Sequence, residues 1–429
     1  MKRLLIRGGR VIDPAAGTDA AADLLVDEGR IVHVGPSLAP DSAEVLDARG
    51  LVVAPGFVDP HAHLCEPGWE HRETIATGAL AAAAGGYTTV CAMPDTDPVV
   101  DDPASVGFVV AAGRRARGAR VLPVAAVSAG RKGEQLTEFG EVVDAGAIAV
   151  SDAGRAVRSS MLMRLALEYA RAFGVPVLSH PEDTGLARGG VMHEGVMSTR
   201  LGLRGKPAAA EEIGAARDLA LAEATGGRLH LQRVSTAAAA DLVRRARARG
   251  VRVTAEATPH HLLLSHELVA GYGTEYKVDP PLRTPSDGRA LCEALADGTV
   301  DCIATDHAPR TYDEKEQAFD DAPFGVVGFE TAFAVLHTRL VLAGVLTLPE
   351  LLARMSTGPA RALGLAGGTL APGDPADLVL IDANAKWTID PAAFLSKCRN
   401  TPFGGTEATG RVLRTLVGGE TVWEATAAP

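Results

Sequence analysis

Gly56-Phe57-Val58-Asp59-Pro60-His61-Ala62-His63 ends in two histidines one residue apart. The apolar run before them reads as a β-strand. Residues two apart on a strand share a face, so both imidazoles project the same way and can seize one metal ion.

Working outward, seven further strand-like runs follow, at 88–93, 120–127, 147–152, 175–180, 228–233, 251–256 and 301–306. With 56–61 they make eight, and Ala-rich or Leu-rich helical stretches separate them. That alternation predicts an α/β fold built as a closed (β/α)8 TIM barrel, with its chemistry at the C-terminal strand ends. Polar residues stand there: His61 and His63 after the first strand, Asp152 on the fourth, His180 on the fifth, and Asp306-His307 on the eighth. Residues so distant in sequence meet on one rim only if the barrel closes. Metal ligation is the stronger reading for His61, His63 and Asp306. His33, His193, His266 and His337 read as ordinary packed histidines.

Residues 1–55 and 363–429 have a different rhythm, of short strands such as Leu4-Leu5-Ile6 and Leu378-Val379-Leu380-Ile381 broken by Gly and Asp turns. The two chain ends are expected to pair into one small β-sandwich domain beside a barrel spanning 56–362. Of the 429 residues, 47% are hydrophobic and only 4% aromatic, so the core is built from Ala, Val and Leu. The formal net charge of −11 disfavours nucleic acid and anionic membrane as partners. Five scattered cysteines without a CxxC pair, and no signal-peptide-like or long apolar run, point to a cytoplasmic protein with free thiols.

Several motifs together resemble one family. The opening octapeptide, Glu66-Pro67-Gly68, Ala255-Glu256-Ala257-Thr258-Pro259-His260-His261, Pro280-Pro281-Leu282-Arg283 and Ala304-Thr305-Asp306-His307-Ala308-Pro309 are similar to those of long-type bacterial dihydroorotases, members of the amidohydrolase superfamily. The likeness runs nearly the whole chain, down to Asn400-Thr401-Pro402-Phe403-Gly404. It implies a zinc hydrolase that interconverts dihydroorotate and N-carbamoyl-aspartate. By motif position, His61, His63 and Asp306 would hold the first metal, Asp152 would bridge, and His180 would serve the second. Asp306 would also act as general base and then acid. Related hydantoinases bridge with a carboxylated lysine, but Ala147-Ile148-Ala149-Val150-Ser151-Asp152 contains none, so the aspartate-bridged form fits better.

The departures from that pattern are concentrated. Arg233 replaces a second-metal histidine, and a guanidinium has no lone pair to give a cation. One zinc is therefore expected, with the second site impaired. His230, three places earlier, is expected to face the helical layer. At substrate-binding positions, Cys65 replaces an arginine, Asp95 and Asp279 replace asparagines, and Arg310 replaces a histidine; Ala153 stands where a second aspartate is usual. Cys65 reads as a filler rather than a thiolate ligand. The near balance of charge among these changes suggests an Arg233/Asp279 or an Arg310/Asp95 ion pair. The segment 310–325 would be either a flap over the pocket or, equally, a plain surface connection, and by position the backbone of Phe324 and Gly325 would touch substrate. Three functions follow: a dihydroorotase with altered carboxylate recognition; a cyclic amidase for hydantoin or dihydropyrimidine rings; or a non-catalytic subunit that supports an aspartate carbamoyltransferase. A homodimer is the other assembly expected.

Overall fold

The computed structural model describes residues 3–39 and 42–426. Eight short parallel strands form the barrel: β1 (Phe57–Ala62), β2 (Tyr87–Ala92), β3 (Arg120–Pro123), β4 (Val150–Ser151), β5 (Val177–Ser179), β6 (Leu229–Leu231), β7 (Val253–Ala257) and β8 (Cys302–Ile303). Each falls within or beside a run read from the sequence, although most are shorter. β1 to β3 pair in one arc and β4 to β8 in another. The arcs join through parallel bridges at Ala125–Val150 and Ala62–His307. The Ser151 N–H donates to the Ala125 carbonyl and the His63 N–H to the His307 carbonyl, both at 2.8 Å. This second junction brings the histidine pair alongside Asp306.

Every residue of β1 and β2 is buried, the polar Asp59, His61, Thr88 and Thr89 included, so neither strand has a solvent-facing side. In β6 and β7 the alternation is clear. Leu229, Leu231, Val253, Ala255 and Ala257 join the apolar layer shared with helix residues such as Leu219, Ala222 and Val243. His230, Thr254 and Glu256 take the other face. Pro60 lacks an N–H, and the pairing of β1 with β2 shifts register between Asp59 and Ala62. Helix starts carry readable caps: Thr74, Asp102, Ser159, Thr236 and Thr284 each accept a hydrogen bond from a backbone N–H in the first turn.

The chain ends form one eight-stranded sheet. They meet where Val52–Pro55 runs antiparallel to residues 378–381. Ile6, Val11, Leu24, Ile31, Leu378, Leu380 and Leu416 make the sheet's own core. Val52, Ala54, Val379, Ile381 and Val412 belong instead to the apolar core continuous with the barrel. No described helix is long and apolar enough to cross a membrane.

Candidate active site

The site is anchored from below by a buried carboxylate. Asp59 on β1 accepts the Thr305 N–H at 3.1 Å, the His61 N–H at 3.2 Å and the Thr305 hydroxyl, so it ties β1 to the end of β8. Burial pushes the Asp59 pKa up to about 7 against those bonds. Just beyond, Asp306 takes a left-handed φ of 50°, a conformation Asp tolerates better than most residues. The turn sets its carboxylate against the histidine pair. His61 Nε2 and His63 Nε2 each lie 3.6 Å from Asp306 Oδ1. Two ligands at about 2.0–2.1 Å from one tetrahedral ion are about 3.3–3.5 Å apart. His61 Nε2 is buried and has no hydrogen-bond partner. This donor set, two imidazoles and a carboxylate around an orphaned nitrogen, fits a divalent ion.

The outer nitrogens of both imidazoles are held by carboxylates. His61 Nδ1 is 3.0 Å from Glu256 Oε1, and His63 Nδ1 is 2.7 Å from Asp95 Oδ1. Asp95 is therefore not paired with Arg310 as expected; it sits behind a candidate ligand. Its carboxyl is held well below the usual range by His63, Arg131 and Arg310 in spite of burial.

Arg233 lies between Asp306 and His180. Arg233 Nη1 is 3.2 Å from Asp306 Oδ1, and Arg233 Nη2 donates to His180 Nδ1 at 3.2 Å. The guanidinium therefore spans the two groups that would flank a second ion. Asp152, the expected bridging residue, has oxygens that accept the Ser128 N–H at 2.9 Å and the Ser128 hydroxyl at 2.6 Å. The expected Arg233/Asp279 pair does not form either, because Asp306 is the partner Arg233 reaches. Burial works against ionisation of Asp306, but Arg233 and the two imidazoles hold its pKa well below the carboxylate range.

His230 corrects a second expectation. It faces the barrel interior rather than the helical layer, donating toward Glu256 Oε2 at 2.9 Å. Parity fails because the regular strand stops at Leu231 and Arg233 adopts a φ of 51°, which turns its side chain inward as well.

On the substrate side, Asp279 pairs with Lys206 at 2.5 Å, and the same ammonium reaches Glu182 at 2.7 Å. Lys206 lies on a two-residue strand, Gly205–Lys206, inside a long connection, so nothing in its local sequence pointed to the site. Cys65 is buried with its Sγ 3.8 Å from the His63 carbonyl, and burial with the nearby Asp95 raises its thiol far above the usual range. It stays a neutral filler. Arg310 Nε donates to the Phe324 carbonyl at 2.8 Å and Nη1 to the Pro309 carbonyl at 3.1 Å, while its charge reaches Cys65 and Asp95. The Gly325 carbonyl is taken by Lys315 Nζ and Asn400 Nδ2, each at 3.0 Å, so it is committed within the protein and not open to substrate. His260, unassigned by spacing, aims a buried and unpartnered Nε2 at Asp306 Oδ2, 3.9 Å away.

Comparison with known proteins identifies the family. Residues 50–239 match the dihydro-orotase-like family model and residues 293–423 the amidohydrolase family model. Dihydroorotase from Pelotomaculum thermopropionicum is 51% identical over 422 residues, covering 98% of this chain and 99% of that protein. Dihydroorotase from Anaeromyxobacter dehalogenans strain 2CP-C is 53% identical over 424 residues, 98% of each chain. Among solved structures, an L-hydantoinase (dihydropyrimidinase) from Arthrobacter aurescens superposes with a TM-score of 0.89 at 25% identity, over 99% of this chain and 96% of that one. A D-hydantoinase (dihydropyrimidinase) from Thermus sp. gives 0.83 at 28% identity, over 97% and 94%. The chain belongs to the dihydroorotase family of the metal-dependent amidohydrolases.

Proposed function

We propose that this chain hydrolyses dihydroorotate reversibly to N-carbamoyl-aspartate using one zinc ion held by His61, His63 and Asp306. The observation that carries the reading is the convergence of the two Nε2 atoms on one Asp306 oxygen, with His61 Nε2 left unpartnered. An ion held there would supply Lewis acidity, making water acidic near neutral pH and polarising an amide carbonyl. Asp306 offers its Oδ2 to carry a proton from the attacking water to the leaving nitrogen. Arg233 keeps that carboxylate ionised and takes the place a second ion would occupy. Arg310, across from Cys65, supplies the cation that would face the substrate carboxylate. All five cysteines are unpaired, which supports a reducing compartment such as the cytoplasm.

The Arg233–Asp306 contact places a cation beside the ligand set, which weakens metal binding, so the second reading is a non-catalytic chain. Metal analysis with assays in both directions separates them. The comparison protein carries Arg233→His, Cys65→Arg, Asp95→Asn, Asp279→Asn and Arg310→His. A parent with about one zinc per chain and turnover of dihydroorotate is expected. A metal-free, inert parent whose revertant binds zinc and turns over would establish the second reading. Zinc with activity only on hydantoin or dihydropyrimidine rings would move the substrate to another cyclic amide.

A further inference from the structure

We infer that Glu256 is a positioning residue that, through a buried chain of Thr254, His230 and His61, fixes the His61 tautomer so that its lone pair faces the ion. The inference rests on the reading of His61 as a ligand. Three contacts define the chain. Thr254 Oγ1 is 2.7 Å from His230 Nδ1, His230 Nε2 is 2.9 Å from Glu256 Oε2, and His61 Nδ1 is 3.0 Å from Glu256 Oε1. The side chains of His61, Glu256 and His230 are fully buried.

The contacts assign the hydrogen of His61. An ionised carboxylate only accepts hydrogen bonds. Each Glu256 oxygen faces a ring nitrogen of a different histidine, at 3.0 Å for His61 and 2.9 Å for His230, the pattern of an ionised carboxylate accepting two imidazole N–H bonds. Both facing nitrogens, His61 Nδ1 and His230 Nε2, must then carry hydrogen. His230 Nδ1, on the far side of the ring, lies 2.7 Å from the Thr254 hydroxyl. With the hydrogen on Nδ1, the lone pair of His61 is left on Nε2. That is the nitrogen without a partner beside Asp306.

Cys302 lies close enough to His230 and Glu256 for the three to resemble an ion site. Both ring nitrogens of His230 and both oxygens of Glu256 are already committed, and burial drives the Cys302 thiol well above its ordinary range. The cluster therefore reads as an orienting network rather than a second cage.

Glu256→Gln is the direct test. An amide offers one acceptor and one donor, so one of the two histidines must reverse its tautomer, and the negative charge behind His61 is lost. Zinc affinity, measured by competition with a chromophoric chelator, is expected to weaken about 10–100-fold. His230→Gln keeps an N–H toward Glu256 and is expected to bind zinc much as the parent does. Long-range proton–nitrogen spectra of the histidine-labelled, metal-free parent provide a variant-independent readout, with His61 expected in the Nδ1–H form. Parental affinity in Glu256→Gln, or an Nε2–H His61 in the parent, overturns the inference. A parent that binds no zinc while His61 is Nδ1–H would overturn the proposed metal function but leave the orienting chain standing.

Discussion

Lys206 is where the altered pocket becomes physically coherent. Two acidic side chains, Glu182 and Asp279, share one buried ammonium at 2.7 and 2.5 Å. Removing it by Lys206→Met leaves like charges facing each other in a low-dielectric setting, at an expected cost of about 3–5 kcal/mol in urea unfolding. Adding Asp279→Asn should recover part of that loss, and strict additivity of the two changes would show that the pair is not coupled. The second-metal position allows a similar test. Arg233→His alone is expected to leave about one zinc per chain, because Asp152 stays bound to Ser128 and Ala153 carries no ligand. Metal analysis of Arg233→His combined with Ala153→Asp should move toward two. At this scale the sequence identified the residues but not their partners. His61, His63 and Asp306 were readable because strand-end histidines and a rim carboxylate have a chemistry of their own. The pairings Arg233–Asp306, Lys206–Asp279 and His63–Asp95 depend on which loops face each other across the barrel mouth, and local spacing carries no record of that.

Regular elements were legible in proportion to their regularity. The barrel strands were readable because short strand-like runs alternate with Ala-rich or Leu-rich helical stretches, the repeat of a parallel barrel. Inference failed at the end of β6, where a positive φ at Arg233 breaks the two-residue period and His230 proves to face inward. The segment 310–325, whose Pro and Gly ends suggested a flap, is tethered by two buried lysines that its sequence did not single out. Lys315 Nζ donates to the Pro323 and Gly325 carbonyls at 3.0 Å each, and Lys277 Nζ donates to those of Phe319 and Asp320 at 2.5 and 3.0 Å. Burial, with Arg310 and Lys277 nearby, lowers the Lys315 pKa to about 7. In the unfolded chain lysine keeps its proton to about 10.4. Between those values the unfolded state binds more protons, so this residue makes stability rise with pH from about 7 to about 10 and leaves it flat below. Unfolding free energies of the parent minus those of Lys315→Met, taken at pH 6, 8 and 9.5, should follow that slope. A difference independent of pH would mean that Lys315 stays charged in the folded chain.

Across the whole molecule, the appended sheet and the barrel share one apolar interior. Val52, Ala54, Val379, Ile381, Ala408 and Val412 from the sheet belong to the same core as barrel residues Phe57, Tyr87, Phe329 and Phe333. Polar links cross the same boundary: Arg120 pairs with Asp377 at 2.7 Å, the Gly56 N–H donates to the Asp377 carbonyl at 2.9 Å, and the Thr415 hydroxyl donates to the Ala83 carbonyl at 2.7 Å. Chains of this size commonly unfold in stages, domain by domain. A core running through both parts opposes that, because neither can expose its half without stripping the other. Calorimetry is therefore expected to give one transition for sheet and barrel together, and two resolved transitions would contradict the shared core. The ion should move that single transition as a unit, since a ligand bound only by the folded state at a hundred times its dissociation constant adds about 2.7 kcal/mol. With an unfolding entropy of about 2.1 cal/mol/K per residue, that is about 3 °C for 429 residues. Zinc should raise the melting temperature of the parent by this amount and leave a His61→Ala/His63→Ala protein unmoved; an equal rise in both would place the ion somewhere other than the end of β1.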